Sequence, residues 1–275
     1  MWEEIELTPK LIALDLDGTT LNTEGKISSR TRRVLTKARE AGHEVVIATG
    51  RPDSISEDLY DELELTTPMI NFNGALVHVP HQQWAFEYQR TLAPATVIQL
   101  LTLREQFPIK VMVAEGKRLL LADRPYANIP FLPDMLEPKV LLSAQTLQQA
   151  PISVTMFTPE ENSAALRAAI QAQNFPVSVQ SWGSWSGKNA ALEVVSQHIN
   201  KAVALKFVAE KLHFTADNII AFGDDDNDIE MLHYAGLGIA MKNANPKIMT
   251  QIKQQTPLTN AEDGVARYLE AYLGL

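Results

Sequence analysis

The feature that most constrains this chain is an alternation. Short runs that are apolar throughout are each followed by a stretch of helical periodicity, at both ends of the sequence. KLIALDLD (10–17) precedes the helical pattern SSRTRRVLTKAREAG (28–42), where Ser28 or Ser29 supplies an N-cap and Gly42 falls just past the C-terminus. HEVVIATG (43–50) precedes PDSISEDLYDELEL (52–65), and PMINFNGAL (68–76) reads as a third strand ended by Asn73-Gly74. Near the C-terminus, NKAVALKFVAEKLHF (200–214), NIIAFGD (218–224), NDIEMLHYAG (227–236) and LGIAM (237–241) repeat the scheme, with two more helices from Asn245 and Ala261. A strand with no polar face must be covered on both sides. The pattern therefore predicts an α/β fold, a Rossmann-like parallel sheet with helices on both faces.

The middle of the chain breaks the pattern. WAFEYQRTL reads as a strand, APATVIQLLTLREQF as a helix and IKVMVAEGKRLLLAD as a hairpin turning at Glu115-Gly116. A loop containing Pro125, Pro130, Pro133 and Pro138 follows. Then PISVTMFTP, EENSAALRAAIQAQN, PVSVQSWG and AALEVVS give strand, helix, strand, strand. A repeated order of this kind predicts a second, α+β domain with an antiparallel sheet, inserted at 81–192 into a core formed by 1–80 and 193–275.

Composition narrows the function. With 275 residues, 45% of them hydrophobic, the chain is long enough for a sizeable core. A net charge of -9, with no Lys/Arg cluster, argues against nucleic-acid and anionic-membrane partners. No apolar run reaches the ~18 residues needed to span a bilayer. The first ten residues, MWEEIELTPK, lack the layout of a signal peptide. The absence of cysteine removes thiolate catalysis, disulfides and Cys-ligated zinc, and fits a cytoplasmic protein.

Ligands of open parallel sheets bind at the carboxyl ends of the strands. Asp15 and Asp17 stand there after the first strand, Thr49 and Gly50 after the second, Asn73-Gly74 after the third, and Asp224, Asn227 and Asp228 of GDDDND after a later one. Carboxylates gathered at one point are costly unless neutralised, and an all-oxygen set suits Mg²⁺. Thr49, the Gly50 backbone and Lys201, which opens a helix, would complete a cradle for phosphate.

DLDGT, ATGR, Lys201 and GDDDND, in that order, resemble the four motifs of the haloacid dehalogenase superfamily of phosphatases. The insert, MINFNGA and EDGVARYLEAYL resemble its Cof-type (IIB) members, whose α/β cap selects the substrate. The likeness implies that Asp15 is the nucleophile, forming an aspartyl-phosphate, and that Asp17 is the acid and base. It implies a Mg²⁺ held by Asp15, the Asp17 carbonyl and Asp224, with Asp228 supporting from behind. Leu16 and Gly50 through their backbones, with Thr49, Lys201 and Asn227, would hold the phosphate oxygens. Ala202 stands where the family often has glycine, and Asp225 and Asp226 make the fourth motif unusually acidic; we read these two as solvated loop residues.

Simpler readings exist for several residues. Asp-Gly is a common turn pair, and Lys201 alone would be a solvated helix charge. Arg51 is expected to pair with a carboxylate of the second helix, Glu193 to mark the junction back to the core, and the six histidines to be packing or surface residues. Trp182 and Trp185 serve equally as cap core or substrate lining. The expected activity is hydrolysis of small phosphomonoesters such as sugar phosphates. A phosphomutase using the same intermediate is the alternative, and a non-catalytic phosphate-binding regulator ranks below both. Oligomeric state has no signature in the chain.

Overall fold

The computed structural model describes residues 8–129, 132–181 and 189–275. Strand β1 (Leu11–Leu14) is buried at every position. Helix α1 (Ser29–Glu40) starts where the Ser28 hydroxyl accepts the Thr31 N–H at 3.0 Å, and its inward stripe is Val34, Leu35 and Ala38. It stops at Gly42, whose φ of +88° suits a residue without Cβ. Strand β2 (Glu44–Ile47) and helix α2 (Glu57–Glu62) follow.

The third strand departs from the sequence reading. β3 (Met69–Asn71) lies beside the end of β2, joined to it by a parallel Ala48–Ile70 bridge and by the Thr49 N–H, which donates to the Ile70 carbonyl at 2.9 Å. It pairs antiparallel with β4 (Leu76–His78), and β5 (Tyr88–Gln89) completes a three-stranded sheet. The cause is local: Phe72, Asn73 and Gly74 have φ of +48°, +54° and +102°, which reverses the chain at once. The expected strand WAFEYQRTL shrinks to β5.

Helix α3 (Pro94–Leu101) leads into the hairpin of β6 (Val111–Gly116) and β7 (Leu119–Ala122). Its turn lies at Lys117-Arg118, with Arg118 at φ +60°, two residues beyond the expected position; Glu115 remains inside the ladder, opposite Leu120. β8 (Ser153–Pro159), α4 (Glu160–Ala172), β9 (Val177–Ser181) and β10 (Asn189–Ser196) complete a five-stranded antiparallel sheet ordered β7-β6-β8-β10-β9. One face, with Met112, Ala114, Val154, Met156, Leu192 and Val194, packs with apolar residues of α3 and α4. Trp182 and Trp185 fall outside the described residues.

The chain then returns through α5 (Lys201–Lys211), β11 (Ile219–Gly223), α6 (Ile229–Tyr234), β12 (Leu237–Ala240), α7 (Pro246–Gln251), β13 (Gln254–Gln255) and α8 (Gly264–Leu273). β1 is central in a parallel sheet ordered β13-β12-β11-β1-β2, in register Leu14↔Phe222 and Leu14↔Ile47. Apolar clusters lie on both faces: Val34, Leu35, Val265 and Leu269 on one, Ala204, Leu205, Val208 and Met231 on the other. The α/β core with an additional antiparallel sheet is the expected fold class.

Two compact units result. One holds the described residues up to Arg51, then Ser56–Tyr88 and Asn200–Leu275; the other holds Pro52–Ile55 with the described part of Gln89–Ile199. Both long breaks lie later in the chain than the 80/81 and 192/193 divisions read from sequence. The reasons are that β5 pairs back onto β4 and that β10 belongs wholly to the antiparallel sheet.

Phe222 is fully buried and meets Tyr268 edge-to-face, with centroids 5.6 Å apart, joining the sheet to α8. Phe222→Ala is expected to lower the unfolding free energy by about 3–5 kcal/mol. Denaturant titration measures this, and a loss below about 1 kcal/mol would contradict a rigid core here.

Candidate active site

The ends of β1, β2 and β11 lie side by side because the three strands are adjacent and parallel. Asp15 directly follows β1, and its N–H donates to the Phe222 carbonyl at 3.2 Å. Its side chain is buried, and its Oδ1 accepts from Lys201 Nζ at 2.6 Å. The same ammonium donates to Asp228 Oδ1 at 2.7 Å. Lys201 and Asp228 are both 0% exposed. The solvated-charge reading of Lys201 is therefore excluded. Asn200 fixes the start of α5 by accepting the Val203 N–H at 2.8 Å, which places Lys201 in the first turn.

Asp224 completes the cluster: ligand oxygens of Asp15, Asp224 and Asp228 lie within 4.8 Å of one another. Asp228 uses Oδ1 for Lys201 and Oδ2 to accept the N–H groups of Asp224 and Asp225, at 3.0 and 3.2 Å. Both its oxygens are thus occupied in holding other parts of the site. Asp224 Oδ1 accepts from the Thr19 hydroxyl at 2.9 Å. Gly18 lies against the same carboxylate; a Cβ there would sit 2.2 Å from Asp224 Oδ2, and φ is +72°. Only glycine fits both demands.

Three carboxylates face one ammonium, and the titration behaviour follows. Burial, then the neighbouring carboxylates, pushes Asp15 well above its ordinary pKa despite Lys201. Burial and Asp228 push Asp224 up to about 7. Burial disfavours the Lys201 ammonium, but Asp15 and Asp228 outweigh it and raise its pKa. A hard divalent cation bound by oxygens would relieve the excess negative charge, so these residues fit such an ion.

Asp17 is turned elsewhere. Its carboxylate is gripped bidentately by Arg51, Nε to Oδ2 at 2.7 Å and an outer nitrogen to Oδ1 at 2.6 Å. This corrects the expected pairing of Arg51 with a carboxylate of α2. The geometry arises because the Arg51 N–H donates to the Thr49 hydroxyl at 3.1 Å, turning the chain after β2. Thr49 itself is buried, and its carbonyl accepts the Asn73 N–H at 3.1 Å.

Asn227 Nδ2 donates to Asn73 Oδ1 at 2.8 Å, and a Cβ on Gly50 would lie 3.2 Å from the Asn73 amide. Asn73 thus joins Gly50 to Asn227. Asp225 and Asp226 accept from Asn245 Nδ2 at 2.7 and 3.0 Å, and exposed Lys247 donates to Asp226 at 2.7 Å, so both sit in a surface loop. Glu193 is not at a junction: it lies inside β10, between Thr155 of β8 and Gln180 of β9.

Thr19 and the Arg51–Asp17 pair were absent from the candidate set, and Asn73 stood there at a strand end without an assigned role. DLDGT and NFNG displayed Thr19 and Asn73, but neither motif shows what its polar atoms meet across the sheet edge.

Residues 12–269 match the haloacid dehalogenase-like hydrolase family. The chain belongs to that family. Among relatives of this haloacid dehalogenase-like hydrolase, the Bacillus subtilis 5-amino-6-(5-phospho-D-ribitylamino)uracil phosphatase YitU is 35% identical, over 98% of this chain and all of that protein. A haloacid dehalogenase-like hydrolase of Bacteroides thetaiotaomicron has a similar structure, with a TM-score of 0.84, 26% identity, and coverage of 96% of this chain and all of that one. A subclass IIB sugar phosphatase of the superfamily shares the fold at 21% identity, with a TM-score of 0.73 over 97% of this chain and all of that one. The protein is a phosphatase.

Lys201→Ala leaves Asp15 and Asp228 buried without their cation and is expected to cost about 3–5 kcal/mol of stability. Adding Asp228→Asn should recover part of that loss. Equal stability of wild type and Lys201→Ala in urea would contradict the ion-pair account.

Proposed function

We propose that Asp15 is the nucleophile and Asp17 the proton carrier in hydrolysis of small phosphomonoesters. The observation that carries this is the buried Asp15–Lys201–Asp228 arrangement, with Asp224 beside it. Lys201 orients the Asp15 carboxylate and keeps one oxygen engaged, leaving the group fixed for attack on phosphorus. The bond to the leaving oxygen breaks as the aspartyl-phosphate forms, and Asp17 gives that oxygen a proton. Asp17 then takes a proton from water, which attacks the phosphorus and releases phosphate from Asp15.

In the state described here, Asp17 is engaged by Arg51, so that pair has to open before a proton is passed. An incoming phosphate dianion offers Arg51 a competing partner for its bidentate face. The Leu16 and Gly50 N–H groups, Thr49, Lys201 and Asn227 are the proposed phosphate contacts, with Asn73 holding Asn227 in place. Asp15, Asp224 and the Asp17 carbonyl would hold Mg²⁺, which when bound neutralises charge on the transferring group. Asp228 supports this set through Lys201 and the Asp224 N–H rather than by ligation.

The substrate class is a small phosphorylated metabolite, and the second unit is proposed as its selecting cap. The similarity to YitU makes 5-amino-6-(5-phospho-D-ribitylamino)uracil the first compound to test, beside sugar phosphates. A cytoplasmic location fits the cysteine-free chain, and among the described residues no helix is long and apolar enough to cross a membrane.

Asp15→Asn is expected to abolish Mg²⁺-dependent phosphate release from p-nitrophenyl phosphate while the circular dichroism spectrum stays unchanged. Turnover at the wild-type rate in that variant would end the nucleophile assignment. Recovery of isomerised phosphoester in place of inorganic phosphate would favour a mutase.

Metal binding has its own readout. Mg²⁺ at about a hundred times its Kd should stabilise the protein by about 2.7 kcal/mol, seen as a higher Tm that EDTA reverses. Asp224→Asn should remove most of that shift, and an identical shift in the variant would disprove the proposed ligand.

A further inference from the structure

The turn between β3 and β4 is a costly one. Phe72 and Asn73 adopt φ of +48° and +54°, a left-handed region that favours glycine and tolerates asparagine far better than phenylalanine. What the turn achieves is a grip on the loop after β2. The Asn73 N–H donates to the Thr49 carbonyl at 3.1 Å, and the Phe72 N–H to the Arg51 carbonyl at 3.2 Å. Neither bond needs a polar side chain on Asn71.

Asn71 is nevertheless polar and buried. Its Nδ2 donates to the same Arg51 carbonyl at 3.0 Å and to the Ser56 hydroxyl at 2.8 Å. A carbonyl only accepts, so Nδ2 is assigned to that side and Oδ1 to the other, where it meets His78 Nε2 at 3.0 Å. His78 Nε2 therefore carries a proton and donates it. Ser56 and His78 are buried too, and all these residues belong to the first compact unit. Apolar side chains would fill the same space at less cost in desolvation, but they would not fix one orientation.

The orientation fixed here is that of Arg51. Its N–H donates to the Thr49 hydroxyl at 3.1 Å, and its carbonyl accepts from Asn71 and Phe72, so both ends of the residue are anchored. From that backbone the guanidinium reaches Asp17 through bonds of 2.7 and 2.6 Å. A bidentate pair tolerates little angular error, because two N–H groups must meet two oxygens at once.

We propose that Asn71, held by His78, is a positioning residue for Arg51, aiming the guanidinium at Asp17 and at an arriving phosphate. Resting on the Asp17 role proposed above, that aim sets how readily the pair opens when phosphate arrives. Asn71 acts through the Arg51 backbone, and without the Arg51 side chain it has nothing to aim.

The test follows from that dependence. kcat/KM for p-nitrophenyl phosphate is measured in wild type, Asn71→Leu, Arg51→Ala and the double variant. Asn71→Leu is expected to lower kcat/KM by about tenfold when Arg51 is present and by less than about twofold in the Arg51→Ala background. Equal losses on both backgrounds are what packing alone would give, and they would overturn the proposal. A second pair of variants covers the case in which Asn71→Leu does not fold. His78→Leu should lose activity, and His78→Gln, whose amide N–H replaces the ring donor to Asn71 Oδ1, should recover most of it. Equal activity in the two His78 variants would overturn the network.

A readout that needs no turnover separates this inference from the assignment of Asp17. In isotope-labelled protein the Arg51 Nε–H is identified by NMR through its loss in Arg51→Ala. It should exchange slowly with water in wild type and about tenfold faster or more in Asn71→Leu. That result supports the network even if Asp17→Asn keeps wild-type turnover and the proton-carrier role falls. An unchanged exchange rate in Asn71→Leu, alongside normal turnover by wild type, overturns the network and leaves the phosphatase reading standing.

Discussion

The core depends on one ammonium group. Lys201 is buried at the end of a parallel sheet between Asp15 and Asp228, and it lets two buried carboxylates approach each other. A pair of this kind contributes little net stability, because desolvating the ions takes back most of what their attraction supplies. Its value is geometric. Each partner is held by further bonds: Asp228 by the backbone of its own turn, Asp15 through its N–H on β11, and Lys201 by a capped helix start. Moving any one of them strands a charge.

The negative excess that remains is what makes the place chemically useful. Three carboxylates and one ammonium raise the pKa of Asp15 and Asp224, a tension that an added cation relieves. A short glycine contact with Asp224 and the Thr19 hydroxyl keep that carboxylate in position. The Arg51–Asp17 pair is a separate charge balance beside the first. It turns the Asp17 carboxylate away from the carboxylate cluster. The two faces of the antiparallel sheet differ: the face packed with α3 and α4 is largely apolar, whereas the opposite face buries Glu115, Ser153, Thr155 and Glu193.

Much of this was legible because the relevant signals are local. A run such as LIAL buried at all four positions, or the Ser28 cap of α1, depends on neighbours in sequence. DLDGT, Lys201 and GDDDND were recognisable for the same reason, since strand ends in an open sheet converge by topology. Errors arose where the outcome depended on distant partners or on backbone conformation. The strand at Met69–Asn71 turns back into β4 because two non-glycine residues adopt positive φ, and composition does not encode that choice. Arg51 found Asp17 rather than α2, and Glu193 lay in mid-strand, because neither charge announces its direction.

By itself the sequence determined the periodicities, the helix caps, the order of the strand-end motifs and the acidic character of the site, since each follows from which residues adjoin which. Only the tertiary structure decided which carboxylate shares the ammonium, which is held by arginine, and which polar side chains of the antiparallel sheet are buried together. Those are matters of a few ångströms between residues up to 186 positions apart. The free energy of a buried charge turns on such distances, and a linear string of residues does not contain them.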